Sequence, residues 1–138
     1  MNRVLGVDLG QARTGIAVSD ELRMLAHPLE TIESSSADKV ARRVRQIVAE
    51  KEVDCVVVGL PRRMNGSLGP AAENAQQFVE KLRSLISCEV VTWDERLSTV
   101  AAERALRDAG RKTRETRGIL DQVAAQIILQ SYLDRPNG

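Results

Sequence analysis

The stretch Arg3–Asp20 constrains the fold of this chain more than any other segment does. Its first part is an apolar run that ends at Asp8, turn residues occupy positions 10–15, and a second apolar run starts at Ile16. Two β-rich segments joined by a short loop with glycine at both ends predict a β-hairpin. The first run is apolar on both sides of its pleat, which is typical of a central strand covered on both faces.

Asp8 is the informative residue of this hairpin, because a carboxylate at the end of a buried strand is costly unless something pairs with it. Metal ions and phosphate chemistry are the usual reasons for proteins to keep such a group. The alternative is an aspartate that caps the turn through the nearby backbone, which is a common role for this residue type. The hairpin alone leaves both interpretations open.

The rest of the chain predicts an α/β protein with a mixed five-stranded sheet. After the hairpin, the patterns predict strands over 24–32, 53–60 and 88–93, and helices over 37–51, 70–86, 98–109 and 117–133. Pro28 favours an edge position for the third strand, because proline cannot donate to a ladder. The first three strands should form an antiparallel meander. The helical crossovers make the fourth and fifth strands parallel to the first, with helices on both faces.

The length of 138 residues suits one domain, residues 1–138. Aromatic residues make up 2% of the chain, which argues against a base-stacking platform, and a net charge of +1 means that nucleic acid could bind only at a local basic patch.

The single histidine, His27, excludes a His/Cys zinc cluster. Cys55 and Cys88 lie in apolar runs and are expected to be buried free thiols. Without an apolar run long enough for a signal peptide or a membrane span, we expect a cytoplasmic protein.

Three acidic residues are candidates for a common site. Sites in such sheets tend to lie beyond the carboxyl ends of the parallel strands, where Asp8, the loop 61–69 and the pair Asp94–Glu95 should meet. Asp121 is predicted on the apolar face of the last helix, beside two alanines that would let this helix approach the sheet. The alternative for Asp121 is an acid in the first helical turn, where the helix dipole stabilises it.

A cluster of Asp8, Glu95 and Asp121 without histidine predicts a site for hard cations such as Mg²⁺ or Mn²⁺. Two such ions can activate water and stabilise the leaving oxygen of a phosphodiester, with Asp8 bridging them and the other two acids completing the shell. The alternative is that Asp94 and Glu95 are loop acids paired with Arg96. Adjacent side chains at a strand end point in different directions, and we select Glu95 as the site residue.

Basic residues near these acids predict phosphate contacts, which position a nucleic acid without reading its sequence. They are Arg13, Arg62, Arg63, Arg96, Arg111, Lys112, Arg114 and Arg117. Arg104 and Arg107 are interpreted instead as solvated helix residues, and so are Arg42, Arg43 and Arg45.

Four motifs, in order along almost the whole chain, resemble the YqgF/RuvX family. They are Val7-Asp-Leu-Gly-Gln-Ala-Arg-Thr-Gly15, Gly59-Leu-Pro-Arg-Arg-Met-Asn-Gly66, Asp94-Glu-Arg-Leu-Ser-Thr99 and Asp121-Gln-Val-Ala-Ala125. The resemblance implies an RNase H-like fold, akin to the RuvC resolvases. It also implies that Asp8, Glu95 and Asp121 form the acidic triad, and that the same cleft is lined by Arg13, Asn65, Gly66, Arg96 and Thr99.

The resemblance implies a nuclease that processes the 5′ end of pre-16S rRNA, or a Holliday junction resolvase. Our hypothesis is a metal-dependent endonuclease acting on structured nucleic acid; a resolvase making symmetric nicks would also require a homodimer. Two other classes remain open. The Asp-x-Gly hairpin resembles the phosphate loop of the actin and Hsp70 nucleotide-binding fold, although that fold needs two such domains. A non-catalytic nucleic-acid-binding module is the other alternative.

Overall fold

The structure is a computed structural model that describes residues 2–109 and 114–136, with side chains for all of these except 105–109 and 114–117. The elements of the described chain are, in order, β1 (Arg3–Asp8), β2 (Arg13–Ser19), β3 (Ala26–Glu33), α1 (Ala37–Glu50), β4 (Val53–Leu60), α2 (Pro70–Leu85), β5 (Glu89–Asp94), a 3₁₀ turn (Glu95–Leu97), α3 (Val100–Ala109) and α4 (Arg114–Leu133).

The five strands form one mixed sheet in the order β3-β2-β1-β4-β5. β2 is antiparallel to both β1 and β3, whereas β4 is parallel to β1 and β5 is parallel to β4. This arrangement confirms the predicted fold class. Pro28 lies in the edge strand β3, as its missing N–H group predicts.

Helices cover both faces of the sheet. The face with Leu5, Val7 and Val58 packs against α1 and α2 and forms the larger apolar core. The opposite face packs against α4, which approaches the sheet closely because small residues meet there. A Cβ atom at position 6 would lie 2.7 Å from Leu129 Cβ, so a larger residue at Gly6 would push α4 away.

The last helix begins earlier than predicted. Its first residue is Arg114 rather than Arg117, because the polar residues between them carry no helix breaker and continue the helix although their composition looks like a loop. Asp121 therefore lies two turns inside α4, where the dipole effect of the first turn has faded, so the dipole explanation for this acid is wrong. The candidates Arg111 and Lys112 lie outside the described residues.

Both cysteines are free thiols, as the sequence predicts, but only Cys55 is buried, whereas Cys88, directly before β5, is half-buried. Burial raises the pKa of the Cys55 thiol to about 11. Among the described residues, no helix combines the length and apolar character that crossing a membrane requires.

Candidate active site

Three acidic side chains are buried at the carboxyl edge of the parallel strands. Asp8 ends β1, Glu95 starts the turn that follows β5, and Asp121 approaches from α4. Their residue surfaces are 7%, 5% and 7% exposed, and they are the buried acidic residues of the described chain. Glu95 and Asp121 both act on Asp8 by charge repulsion, so the structure brings the three acids into one cluster.

Gly59 makes room for Glu95 in this cluster. A Cβ atom at position 59 would lie 2.7 Å from Glu95 Oε2 and equally close to Ile128 Cδ1. The missing side chain lets the Glu95 carboxylate lie against β4, next to the end of β1. Asp94, the neighbouring acid, pairs with Arg96, whereas Glu95 shares the Arg104 guanidinium with Asp8, so Glu95 is the member of this pair that joins Asp8.

Gly15 has the corresponding role for Asp121. It pairs with Asp8 across β1 and β2, so both residues face the same side of the sheet. A Cβ atom at position 15 would lie only 2.0 Å from the Asp121 carbonyl oxygen. Because this glycine has no side chain, the α4 backbone at Asp121 can rest directly on β2, beside Asp8.

Among the described side chains, two arginines contact the cluster, and the sequence predicted only one of them. Arg13 Nε donates a hydrogen bond of 2.7 Å to Asp121 Oδ2. Arg104 of α3 donates from Nη2 to Asp8 Oδ1 and from Nη1 to Glu95 Oε1. The interpretation of Arg104 as a solvated helix residue is therefore wrong. Its position four residues after the buried Val100, on the same side of α3, is the signal that could have identified it.

The pKa of Asp8 is raised from 3.8 to about 6, and burial is the largest cause. The Arg104 guanidinium lowers this pKa, whereas the negative charges of Glu95 and Asp121 contribute to the rise. Burial therefore makes the negative charge of Asp8 costly, and the Arg104 guanidinium offsets only part of that cost.

This shift predicts how the stability of the metal-free protein depends on pH. Between about pH 4 and 6 the folded state keeps a proton on Asp8 that the unfolded state has released, so the free energy of unfolding falls as pH rises through this range. Asp8→Asn has no titrating group at this position, so its free energy of unfolding should not fall in this way. Chemical denaturation at pH 4 and pH 7 in EDTA should show the variant gaining stability relative to the original protein, by up to about 3 kcal/mol at pH 7.

Asp94→Asn is the matched control, because a hydrogen bond from Arg96 lowers the pKa of Asp94. A lowered pKa reverses the sign and shifts the pH range, so this variant should lose stability relative to the original protein as the pH rises towards about 4, and should change little between pH 4 and pH 7. A parallel pH response of the two variants would contradict the electrostatic assignment of the Asp8 cluster.

The donor set of the cluster suits a hard divalent cation, since three carboxylates supply only oxygen ligands. Within residues 2–109 and 114–136, however, no three acidic, histidine or cysteine side chains stand in an arrangement ready to hold a metal. Arg104 contacts both Asp8 and Glu95, while Asp121 accepts a hydrogen bond from Arg13. The residue types fit a metal, and the present positions of the arginines oppose one.

The β4–α2 loop (residues 61–69) forms a second group of predicted site residues at the same edge. Asp94 accepts hydrogen bonds from Arg96 Nε and Nη2 and lies 3.8 Å from Arg62 Nε. Gly66 has a φ of 86°, and the space above its Cα is occupied by the Arg96 guanidinium. These contacts connect the loop to the turn after β5 and hold Arg62 and Arg96 near one another.

Within this loop, Asn65 has a structural role. Its Oδ1 accepts hydrogen bonds from the backbone N–H and the hydroxyl of Ser67, which shapes the loop tip. Arg63 is exposed there, next to Met64, whose surface is 94% exposed. The loop thus presents arginines to solvent on a defined backbone.

Two predicted site residues lie elsewhere or are not described. Thr99 is exposed and lines a cavity of about 600 Å³ with Trp93, Leu97 and Ser131, and none of the three acids lines this cavity. Arg114 is the first residue of α4, and its side chain lies outside the described part of the chain.

The chain is similar in sequence to proteins from several bacteria. A family model described as RuvX, Holliday junction resolvase, matches residues 2–135. A protein of Geobacillus kaustophilus (strain HTA426) named "Putative pre-16S rRNA nuclease" is 51% identical over 134 residues, covering 96% of this chain and 97% of that protein. A protein of Bacillus cereus (strain AH187) with the same name is 45% identical over 135 residues, covering 96% and 98%.

The fold also resembles that of solved resolvases. The structure of T. thermophilus RuvC in complex with a Holliday junction substrate matches with a TM-score of 0.57 and 18% identity, covering 96% of this chain and 94% of that one. The yeast mitochondrial Holliday junction resolvase Ydc2 matches with a TM-score of 0.53 and 11% identity, covering 96% and 78%. These likenesses confirm the expected RNase H-like fold.

Proposed function

The chain belongs to the RuvX family of nucleases, and we propose on this premise that it is a divalent-metal-dependent endonuclease that processes the 5′ end of pre-16S rRNA. The observation that carries the proposal is the joint burial of Asp8, Glu95 and Asp121 at one edge of the sheet. Three buried carboxylates repel one another, and together they offer the oxygen ligands that a hard divalent cation requires. The proposed substrate, pre-16S rRNA, is taken from the name of the similar bacterial proteins.

In this proposal Asp8, Glu95 and Asp121 hold Mg²⁺ or Mn²⁺ through their carboxylate oxygens. Such ions, when bound, supply an activated water and stabilise the leaving oxygen of the phosphodiester. The chain itself fixes the three carboxylates on separate elements, β1, the turn after β5 and α4. Gly15 and Gly59 support this placement, because each leaves the space that an acid or its backbone occupies. Burial strengthens the electrostatic interactions of these carboxylates by excluding water.

The arginines of the β4–α2 loop, with Arg96, provide the phosphate contacts in this proposal. Arg62, Arg63 and Arg96 are exposed at the edge of the sheet that carries the acids. They would hold the backbone of a structured RNA without reading its bases. The chain has a formal net charge of only +1, so this local group has to supply the attraction.

The double variant Arg62→Gln/Arg63→Gln should therefore weaken RNA binding and make it less dependent on salt. Each lost phosphate contact lowers the slope of log K against log salt by about 0.7 to 0.9, so the double change should lower it by about 1 to 2. Filter binding or fluorescence anisotropy from 50 to 200 mM salt measures this slope. The matched control is Arg42→Gln/Arg45→Gln, two exposed arginines of α1 on the other face of the sheet, which should leave the slope unchanged.

The experiment that tests the proposed function compares two labelled substrates with Mg²⁺, Mn²⁺ and EDTA. One is RNA spanning the 5′ end of pre-16S rRNA, and the other is a four-way DNA junction. We expect metal-dependent cleavage of the RNA and no cleavage in EDTA. Binding of both substrates without cleavage under every metal condition would contradict the proposal and favour a non-catalytic binding module.

A junction resolvase is the second candidate, because the matching family model carries that description. Paired nicks on the four-way DNA with an intact RNA precursor would favour it. Symmetric nicks require two active sites, so this candidate also predicts a homodimer, measurable by sedimentation. For either function, the free thiols Cys55 and Cys88 favour a reducing compartment, and we place the protein in the cytoplasm.

A further inference from the structure

Arg104 reaches the acidic cluster from α3 and connects two of its members. One guanidinium nitrogen donates to Asp8 Oδ1 and the other to Glu95 Oε1, so a single cation bridges the carboxylates of β1 and of the turn after β5. The Asp8 and Glu95 side chains are only 9% and 7% exposed, so few other groups can reach these oxygens. Arg104 thus holds the position between the two acids that a bound cation would need.

We propose that Arg104 takes the place of the divalent cation in the metal-free protein and must be displaced when the metal binds, so that it weakens metal affinity. The inference rests on the proposed function, because it requires Asp8 and Glu95 to be metal ligands. The physical basis is that a guanidinium and a divalent ion are both positive and use the same carboxylate oxygens. The two cannot occupy the space between these acids together, so their binding is mutually exclusive.

The structure gives Arg104 a way out of the cluster. Its side chain is 25% exposed, so it can move to solvent without crossing the core. Among residues 100–104, Val100 alone is fully buried, whereas residues 101–103 are exposed. Within residues 100–104, α3 is thus held by the apolar side chain of Val100 and by the ion pairs of Arg104. Breaking those ion pairs leaves most of the core packing of the sheet and α4 intact.

The contact of Arg104 with Asp8 and Glu95 also stabilises the folded protein in the absence of metal. Two buried carboxylates without a counter-charge strongly destabilise the folded protein. Removing one partner of a buried ion pair leaves the charge of the other partner uncompensated. Arg104 supplies the compensation until the metal arrives. Loss of Arg104 should therefore make the protein less stable without metal and more strongly stabilised by metal, which is a thermodynamic signature separate from catalysis.

The test measures Mn²⁺ binding by isothermal titration calorimetry, without substrate. We expect Arg104→Met to bind Mn²⁺ about 10-fold or more tightly than the original protein, since competing equilibria are typically coupled to this degree. Arg104→Lys, with a shorter side chain and a single ammonium, should lie in between. Arg45→Met, which removes an exposed arginine of α1, should not change the affinity. Thermal unfolding in EDTA should show a lower midpoint for Arg104→Met and a larger rise on adding Mn²⁺.

Equal or weaker Mn²⁺ binding by Arg104→Met would overturn the proposal, since weaker binding would mean that Arg104 orients the ligands. If Arg104→Met does not fold, the Mn²⁺ affinity of Arg104→Lys is compared instead, and equal or weaker binding by Arg104→Lys would overturn the proposal. Asp8→Asn separates this proposal from the proposed function. If Asp8→Asn abolishes Mn²⁺ binding and Arg104→Met leaves it unchanged, the metal site stands and only the displacement of Arg104 by the metal is overturned. Absence of Mn²⁺ binding to the original protein and to both Arg104 variants overturns the metal site itself.

Discussion

Asp8→Asn is expected to lower metal-dependent cleavage by at least about 10³-fold while the fold stays intact. The asparagine keeps the size and shape of the side chain but removes the negative charge that would bind the cation. Loss of several kcal/mol of transition-state stabilisation corresponds to this decrease in rate. Single-turnover cleavage of the labelled RNA precursor measures the effect, and circular dichroism with thermal unfolding verifies the fold.

The control for this prediction is Asp54→Asn, which makes the same chemical change near the start of β4, at the opposite edge of the sheet. Asp54 is paired with Arg23 on the surface and has no contact with the acidic cluster. Cleavage by this variant should remain within about two-fold of the original rate, since surface pairs contribute little. Full activity of Asp8→Asn would show that Asp8 does not participate in the reaction.

Gly15→Ala is expected to produce the second large effect, although it adds only one methyl group. The new Cβ would lie 2.0 Å from the Asp121 carbonyl oxygen, so the backbone of α4 has to move. Such overpacking costs about 1–3 kcal/mol of stability. Because a displacement of about 1 Å in a catalytic group can cost 10²-fold in rate, cleavage should fall at least that much. Chemical denaturation and single-turnover kinetics measure the two effects.

Gly118→Ala provides the matched control, because it adds the same methyl group at the contact between α4 and the sheet, on the α4 side instead of the β2 side. Its Cβ would meet Thr31 Oγ1 at 3.6 Å, an ordinary van der Waals contact, and alanine favours a helix over glycine by about 0.5–1 kcal/mol. This variant should be as stable as the original protein or slightly more stable, with unchanged cleavage. Equal activity of both glycine variants would contradict the role assigned to the close contact at Gly15.

The sheet could be predicted from the sequence because its signals are local. The continuous apolar run of β4, the proline in β3 and the alternation of helices with parallel strands each reflect burial or hydrogen bonding within a few residues. The start of α4 could not be predicted, since a polar helical turn and a polar loop have similar compositions. For the same reason the dipole explanation of Asp121 was wrong.

Within the candidate site, the sequence could indicate the acids but only some of the contacts around them. Topology alone brings the ends of β1 and β5 to one edge, so the meeting of Asp8 and Glu95 follows from the strand order. The position of Arg104 depends on how α3 lies over that edge, which is a tertiary property. The same is true of the surroundings of Thr99, which lines a cavity together with Trp93 of β5 and Ser131 of α4.

The most direct test of the central claim is a crystal structure of the protein soaked with Mn²⁺, with the metal located by its anomalous scattering. The claim predicts a peak enclosed by the carboxylates of Asp8, Glu95 and Asp121, with the Arg104 guanidinium withdrawn from Asp8. A Mn²⁺ peak elsewhere on the protein, with Arg104 still bridging Asp8 and Glu95, would contradict it.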